Sequence, residues 1–236
     1  MLYDLHTHLL PGIDDGAADL SESLALLKQE QDCGVDTVVL TPHFKPQIQK
    51  NAEFLEKRAA SFEKLKAAFD GEMQFVLGAE VLYSPYLASI ENIRDFCIGE
   101  SDYLLLEMPY HARMADDVLR AVSRLMDEHG IRPILAHVER YEAVRRNVHV
   151  LEKFRTIGCL FQVNASTLSS KSFFTRRFVR SLVFGGYLDL VGSDCHDPVH
   201  RPANVKAAYD ALEKLYGPGL CRDLLGMADM VVNESF

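Results

Sequence analysis

Seven short apolar runs, each followed by a stretch of helical periodicity, constrain the fold of this chain more than any other feature. The runs are Leu2–Leu5, Thr37–Thr41, Phe75–Ala79, Tyr103–Leu106, Pro133–Ala136, Leu160–Val163 and Leu188–Gly192. Most are continuously apolar rather than alternating, as strands of a parallel sheet covered on both faces should be. Between them, Leu20–Cys33 carries Leu24, Leu27 and Gln31 at helical spacing and stops before Gly34, a C-terminal signal. Ala52–Phe69, Ala115–His129, Glu142–Thr156 and Phe174–Phe184 read similarly, and Arg201–Tyr216 with Leu220–Met227 forms a helical end. No Pro/Gly/Ser linker divides the 236 residues, so the expectation is one domain over 1–236.

A parallel sheet of this many βα units opens into a doubly wound layer or closes into a barrel. No G-x-G-x-x-G follows an early strand, so the dinucleotide-binding version lacks its signature. The residues just past the strands favour the barrel. His6 and His8 follow the first, with Asp14 and Asp15 in the next loop; His43 follows the second, Glu80 the third, Glu107 the fourth and His137 the fifth. The sixth ends at Asn164, and the seventh runs into Asp194 and His196. The C-terminal rim of a parallel barrel is where active sites are built. His6 and His8 are two apart, so in an extended segment both rings point the same way, and Asp194 and His196 repeat that geometry. Five imidazoles and four carboxylates meeting there need cations at the centre. With roughly three or four ligands per ion, the set His6, His8, Asp15, His43, Glu80, Glu107, His137, Asp194 and His196 suits two or three divalent ions with a bridging carboxylate. Without a thiolate, mixed His and carboxylate ligation suits Mn(II), Fe(II) or Zn(II).

Composition narrows the partners. With 25 basic and 34 acidic side chains the net charge is -9, which argues against nucleic acid or an anionic membrane as a general partner. No apolar run approaches the roughly 18 residues of a membrane span. The start, Met-Leu-Tyr-Asp-Leu-His, is not a secretory signal, and five cysteines with no CxxC spacing favour a reducing, cytoplasmic setting. Lys45, Lys50 and Arg113 stand in loops near the rim, where they could guide an anionic substrate. Lys171, Arg176, Arg177 and Arg180 read either as a second basic patch or as a solvated helix face.

The strings Asp4-Leu-His6-Thr-His8 and Leu10-Pro-Gly-Ile-Asp14-Asp15-Gly16-Ala17 resemble the opening motif of PHP-domain enzymes, named for polymerase and histidinol phosphatase. More narrowly, the chain is similar to the PHP-type bacterial protein-tyrosine phosphatases of capsule and exopolysaccharide gene clusters. Thr41-Pro-His43, Gly78-Ala-Glu80, Ala136-His137-Val-Glu-Arg140-Tyr141, Gln162-Val-Asn164, Ser193-Asp194-Cys-His196 and Arg201-Pro202 carry the likeness over essentially the whole chain. The resemblance implies a distorted seven-stranded parallel (β/α) barrel of the PHP type. It also implies one ion on His6, His8, Glu80 and Asp194, a second bridged by Glu80 and completed by Glu107 and His137, and a third on Asp15, His43 and His196. Arg140 and Arg201 match family arginines that bind phosphate. Manganese is the expected metal, and the implied partner is the tyrosine-rich tail of a membrane-associated bacterial tyrosine kinase that governs polysaccharide chain length.

The expected chemistry is direct hydrolysis of a phosphomonoester by metal-bound hydroxide, with the arginines and ions neutralising the phosphoryl oxygens. His43 or His196 could donate a proton to the leaving group. Three other readings compete. A small-molecule phosphatase of the histidinol-phosphate type would share the metal ring. A non-catalytic metal-binding PHP domain has no reason to keep all nine ligands. A cysteine-dependent phosphatase is spelled by Cys195-x5-Arg201, but Asp197 adds negative charge to that loop, Pro198 removes a donor, and Asp194 would raise the thiol pKa.

Overall fold

A computed structural model describes residues 1–233 of the 236. All seven expected runs form strands, and all the strand pairs are parallel. Two further short strands begin just past the second and third runs, so nine strands result among the described residues: β1 Tyr3–Thr7, β2 Thr37–Leu40, β3 His43–Phe44, β4 Gln74–Leu77, β5 Glu80–Leu82, β6 Tyr103–Glu107, β7 Arg132–Leu135, β8 Leu160–Asn164 and β9 Leu190–Gly192. The ladder breaks fall at Thr41-Pro42, where proline has no N–H to donate, and at Gly78-Ala79. The chain stays in line across them, because Gly78 N–H donates to Leu40 O at 2.9 Å and Glu80 N–H to Pro42 O at 3.1 Å.

The regular ladder is thus a three-stranded sheet, β1-β2-β4, and a six-stranded sheet, β3-β5-β6-β7-β8-β9, rather than one seven-stranded barrel. The sheets curl so that the two ends of the chain's strand order meet. Asp194 N–H donates to His6 O at 2.8 Å and His8 N–H to Cys195 O at 3.0 Å, just beyond β9 and β1. The architecture is a mixed α/β fold around a curled parallel sheet.

The helices are α1 Leu20–Asp32, α2 Asn51–Ala68, α3 Asp116–His129, α4 Glu142–Arg146, α5 Glu152–Thr156, α6 Ala165–Leu168, α7 Phe173–Phe184, α8 Val205–Tyr216 and α9 Pro218–Asn233. Asp19 caps α1 by accepting from the Ser21 and Glu22 N–H groups, and Pro218 opens α9, where its missing N–H costs nothing. The expected helix 142–156 is divided. Asn147 is extended, at φ -156° and ψ 109°, and its side chain accepts from His149 N–H, starting a 3-10 turn between α4 and α5. The helix expected from Arg201 begins four residues later, because the Arg201 carbonyl accepts from His196 N–H.

An inner layer of Tyr3, Leu5, Val39, Val76, Leu105, Ile134 and Leu190 draws on β1, β2, β4, β6, β7 and β9, and α9 adds Ala228 and Val231 to it. The strands are therefore anchored from beneath, and their C-terminal ends are left to carry the polar groups. Among the described residues, no helix is long and apolar enough to cross a membrane.

Candidate metal centre

Glu80 stands at the centre of the polar rim and is fully buried. Its Oε2 lies 3.2 Å from His6 Nε2, 3.3 Å from His8 Nε2 and 3.0 Å from His43 Nδ1. Its Oε1 lies 2.8 Å from His137 Nε2. Asp194 Oδ1 faces His6, His8 and His196 at 3.6, 3.5 and 3.6 Å. Glu107 reaches His137 at 3.6 Å and His43 at 4.0 Å. Asp15, exposed at the outer edge, is 3.4 Å from His43 Nε2 and 3.9 Å from His196 Nε2. All nine residues expected in the ring therefore meet in one cluster.

Local backbone features make that convergence possible. The β1–β2 register shifts between Asp4 and Thr7. Strict alternation puts Leu5 and His6 on opposite faces, and Leu5 accordingly joins the inner apolar layer while His6 reaches the carboxylates. His137 and Asp194 both adopt left-handed backbone, at φ 30° and 56°, where non-glycine residues are strained. Each follows a strand, and the turn aims its side chain at the cluster. Gly16 and Gly192 allow close approach: a Cβ on the first would lie 2.2 Å from His8 O, and on the second 2.5 Å from His6 Cβ.

Electrostatics and hydrogen bonding fit a cation site. Nearby imidazoles hold the carboxyls of Glu80 and Asp194 well below the usual range despite burial. Burial opposes protonation of His8, but Asp14 and Glu80 outweigh it and raise its pKa to about 10. His196 is pushed down to about 3 by burial and by His8. His43 Nδ1, Glu80 Oε2 and His196 Nε2 are buried without a hydrogen bond. The first two are 3.0 Å apart but not oriented to share a proton. Lone pairs aimed at one another repel unless a cation lies between them. At the rim, ligand atoms gather within 4.8 Å of one another in three groups: His8, Asp15, His43 and His196; His6, His8 and Asp194; His43, Glu80 and Glu107; a fourth group, Asp4, Glu30 and Cys195, is buried apart from them. Imidazole and carboxylate donors without thiolate match first-row divalent ions.

Arg140 and Arg201 both approach Asp194 Oδ2, at 3.0 and 2.7 Å, and Asn164 Nδ2 donates to it at 2.7 Å. The two arginine side chains are 36% and 38% exposed, which leaves N–H groups free to face an incoming anion.

Several supporting residues carry no role in the sequence reading. Asp14 Oδ2 accepts from His8 Nδ1 at 2.7 Å, orienting that imidazole, and from the backbone N–H of His43 at 2.8 Å. Gln162 Oε1 accepts from His137 N–H at 2.7 Å and lies 3.2 Å from His6 Nδ1. Its signals in the sequence are a lone amide within an apolar strand and its place in the Gln162-Val-Asn164 string, neither of which assigns it this role. Tyr110 packs its ring 4.7 Å from the Arg140 guanidinium, a contact with no local sequence signature.

Cys195 does not form the centre of a cysteine-dependent site. It is fully buried, with Sγ 4.0 Å from Glu30 Oε1, and burial and the Glu30 and Asp4 carboxyls push its thiol pKa well up. Asp197 spends its carboxylate on the N–H groups of Val199, His200 and Arg201, so that loop turns inward on its own side chain instead of cradling phosphate.

Comparison with known proteins gives the chain its relatives. The chain is 30% identical to the tyrosine-protein phosphatase CpsB of Streptococcus pneumoniae, over 94% of each chain. It is 26% identical to the tyrosine-protein phosphatase YwqE of Bacillus subtilis, over 99% of this chain and 92% of that one. A chain from the solved structures of YwqE and CpsB, described as metal-dependent tyrosine phosphatases, shares the fold with a TM-score of 0.87 at 24% identity, covering 100% of this chain and 96% of that one. A looser likeness, TM-score 0.50 at 12% identity over 90% of this chain and 99% of that one, joins it to a putative histidinol phosphatase from Listeria monocytogenes. The family model for capsular polysaccharide synthesis proteins CpsB/CapC matches residues 2–232, and the chain belongs to that family.

Proposed function

We propose that residues 1–236 form one metal-dependent phosphomonoester hydrolase domain, a protein-tyrosine phosphatase acting on the phosphotyrosine-bearing tail of a bacterial tyrosine kinase that controls capsule or exopolysaccharide synthesis. The observation that carries this reading is the placement of two half-exposed guanidinium groups on Asp194, beside a cluster of nine metal-ligand side chains. Membership of the CpsB/CapC family and the names of its phosphatase relatives support it. The same reading takes the two sheets and the β1–β9 contact as one distorted seven-stranded barrel of the PHP type, working in the cytoplasm.

His6, His8, Glu80 and Asp194 would hold one ion, Glu80, Glu107 and His137 a second, and Asp15, His43 and His196 a third; the donors suit Mn(II), Fe(II) or Zn(II), and the family resemblance makes manganese the metal proposed. Bound divalent ions neutralise phosphoryl oxygens and lower the pKa of water towards neutrality. The rest follows from the chain itself. Arg140 and Arg201 take the outer phosphoryl oxygens with the N–H groups that Asp194 leaves free. Asp194 holds both guanidinium groups in register, and Tyr110 fixes the plane of Arg140 while offering its ring as a wall for the substrate phenol. His196 is held neutral by burial and serves as a ligand, not as a proton donor. A phenol of pKa about 10 leaves with little acid assistance, so no other donor is required.

The test is metal analysis of the purified protein with a Mn(II)-dependence assay on a phosphotyrosine peptide and on histidinol phosphate. Metal-stimulated turnover of the peptide, preferred over histidinol phosphate, is expected. Protein without bound metal and without stimulation by Mn(II) would overturn the reading.

A further inference from the structure

The metal centre adjoins a cleft of about 590 Å³, with Tyr110 and Arg140 on its near wall and Phe174, Thr175 and Phe178 of α7 on its far wall. The other side of α7 lines a second cleft, of about 770 Å³, against Leu215 and Tyr216 at the end of α8. Phe173, Arg177, Arg180 and Phe184 follow one another at helical spacings of four, three and four, so they form one stripe, with Arg176 beside it. The opposite face of the helix buries Val179 and Leu182. Phe173 and Phe184, at the two ends of the stripe, are 73% and 72% exposed.

The stripe is positively charged and uncompensated. No carboxylate stands between Glu152 and Asp189 in the sequence. Among the described residues, Arg176, Arg177 and Arg180 make no ion pair; Arg176 donates to Ser170 O at 3.1 Å and Arg180 lies over the Phe184 ring at 5.2 Å. In a chain of net charge -9, such a concentration of unpaired arginine between exposed rings selects acidic partners and steers them to one side. The 12 residues of α7 span about 18 Å, the reach of about five or six residues of extended chain.

We infer that α7 is the docking surface for an acidic, extended segment of the phosphoprotein substrate, lying beside the phosphotyrosine and crossing from the active-site cleft to the arginine stripe. The inference rests on the phosphatase reading and adds the chemistry of the substrate's flank. An anionic membrane would be drawn by the same charges. The stripe, however, faces a concave cleft between two helices, and its helix also walls the catalytic opening, which fits a polypeptide better than a bilayer.

The test compares two phosphotyrosine peptides, one flanked by Asp and Glu and one by Ser and Gly, with para-nitrophenyl phosphate as a substrate that has no flank. The wild-type protein should favour the acidic peptide, with the advantage fading as salt screens exposed charges. In R176E/R177E/R180E, the ratio of kcat/KM for the acidic peptide to that for para-nitrophenyl phosphate should fall about three- to tenfold, the yield expected of a few exposed ion pairs. An unchanged ratio overturns the inference, as does wild-type indifference to flank charge. Loss of binding to phosphatidylglycerol vesicles in the variant, with peptide ratios intact, overturns it in favour of a membrane. Failure to hydrolyse any aryl phosphate with Mn(II) would sink the phosphatase reading instead. Fluorescence anisotropy of the unphosphorylated acidic peptide, weakened by the triple substitution, would then still decide whether α7 binds acidic chains.

Discussion

Asp14 holds His8: its Oδ2 accepts from His8 Nδ1 at 2.7 Å, which fixes the tautomer that leaves His8 Nε2 facing Glu80. The same carboxylate accepts from His43 N–H and Gly16 N–H, tying the loop after β1 to the start of β3. Loss of such an orienting partner typically lowers metal affinity about 10- to 100-fold. Asp14→Ala should therefore need more Mn(II) for half-maximal activity by that factor, with much of the activity recovered at saturating metal. Titration of activity against Mn(II) checks this. An unchanged metal requirement would mean that His8 is oriented by other contacts.

How far this centre can be read from sequence depends on distance along the chain. Glu107 and His137 sit at the ends of apolar runs, so strand periodicity alone places them on one rim, and His6 with His8 follows from a spacing of two. Asp14 is invisible as a separate actor, because Asp14 and Asp15 are adjacent and chemically identical. Only the turn made by Gly16 decides that one faces His8 while the other reaches outward to His43. The short strands β3 and β5, set off from β2 and β4 at Pro42 and Gly78, raise the number of strands from the expected seven to nine among the described residues, since a ladder interruption is a hydrogen-bonding event that periodicity does not register. The meeting of Tyr110 with Arg140 depends on a turn between α4 and β7 and on the loop after β6, and so requires the tertiary fold.

Metal should also act as a structural element. Glu80 is enclosed by His6, His8, His43 and His137 with buried groups left unpaired, so an ion that binds only the folded chain adds stability by mass action. At a free Mn(II) concentration of 100 times Kd the gain is about 2.7 kcal/mol for one site. For a domain of this size that corresponds to a Tm increase of roughly 5–10 °C. Differential scanning calorimetry with EDTA and with graded Mn(II) measures it. A Tm that ignores both would show that these side chains hold no ion.

Proton competition gives a pH dependence of known sign. In the metal-free protein the His8 pKa is raised to about 10, against 6.5 when unfolded. Its contribution to stability is complete below about pH 6.5 and is lost as the pH rises towards 10. His196, held at about 3, works in the opposite sense and only below pH 6.5. Metal ligation requires neutral imidazole, so binding must expel the His8 proton. Mn(II) affinity should rise between pH 6.5 and 8.5, and calorimetry in buffers of different ionisation enthalpy should detect proton release near pH 7. Affinity flat across that range would contradict it.

Tyr110 should discriminate between substrates. Its ring, 41% exposed, stacks by Arg140 at the mouth of the centre and stands where a phenol could pack. A cation–π contact at a partly exposed position contributes about 1 kcal/mol. Tyr110→Leu is expected to raise KM for phosphotyrosine peptide roughly fivefold, while a phosphoserine peptide, lacking a ring to pack, loses less. Equal losses on both peptides would reduce Tyr110 to a support for Arg140.

Cys195 and Arg201 separate metal catalysis from thiol catalysis within one loop. The Cys195 sulfur is buried on the far side of β9, towards Glu30 and Asp4, and its pKa is pushed well up, so it cannot meet a phosphate at the rim. Arg201 lies on the opposite side, 2.7 Å from Asp194 Oδ2. Cys195→Ser should keep kcat/KM within about twofold, at a stability change of about 1 kcal/mol. Arg201→Met, which removes the fork but keeps much of the stem, should lower kcat/KM by about 10²-fold or more, the loss of one positioned charge donor. Both variants are assayed with Mn(II) and then with EDTA. Cys195→Ser activity that survives Mn(II) assay and disappears with the chelator assigns the chemistry to the ring of imidazoles and carboxylates; activity lost with the sulfur alone would return it to the thiol.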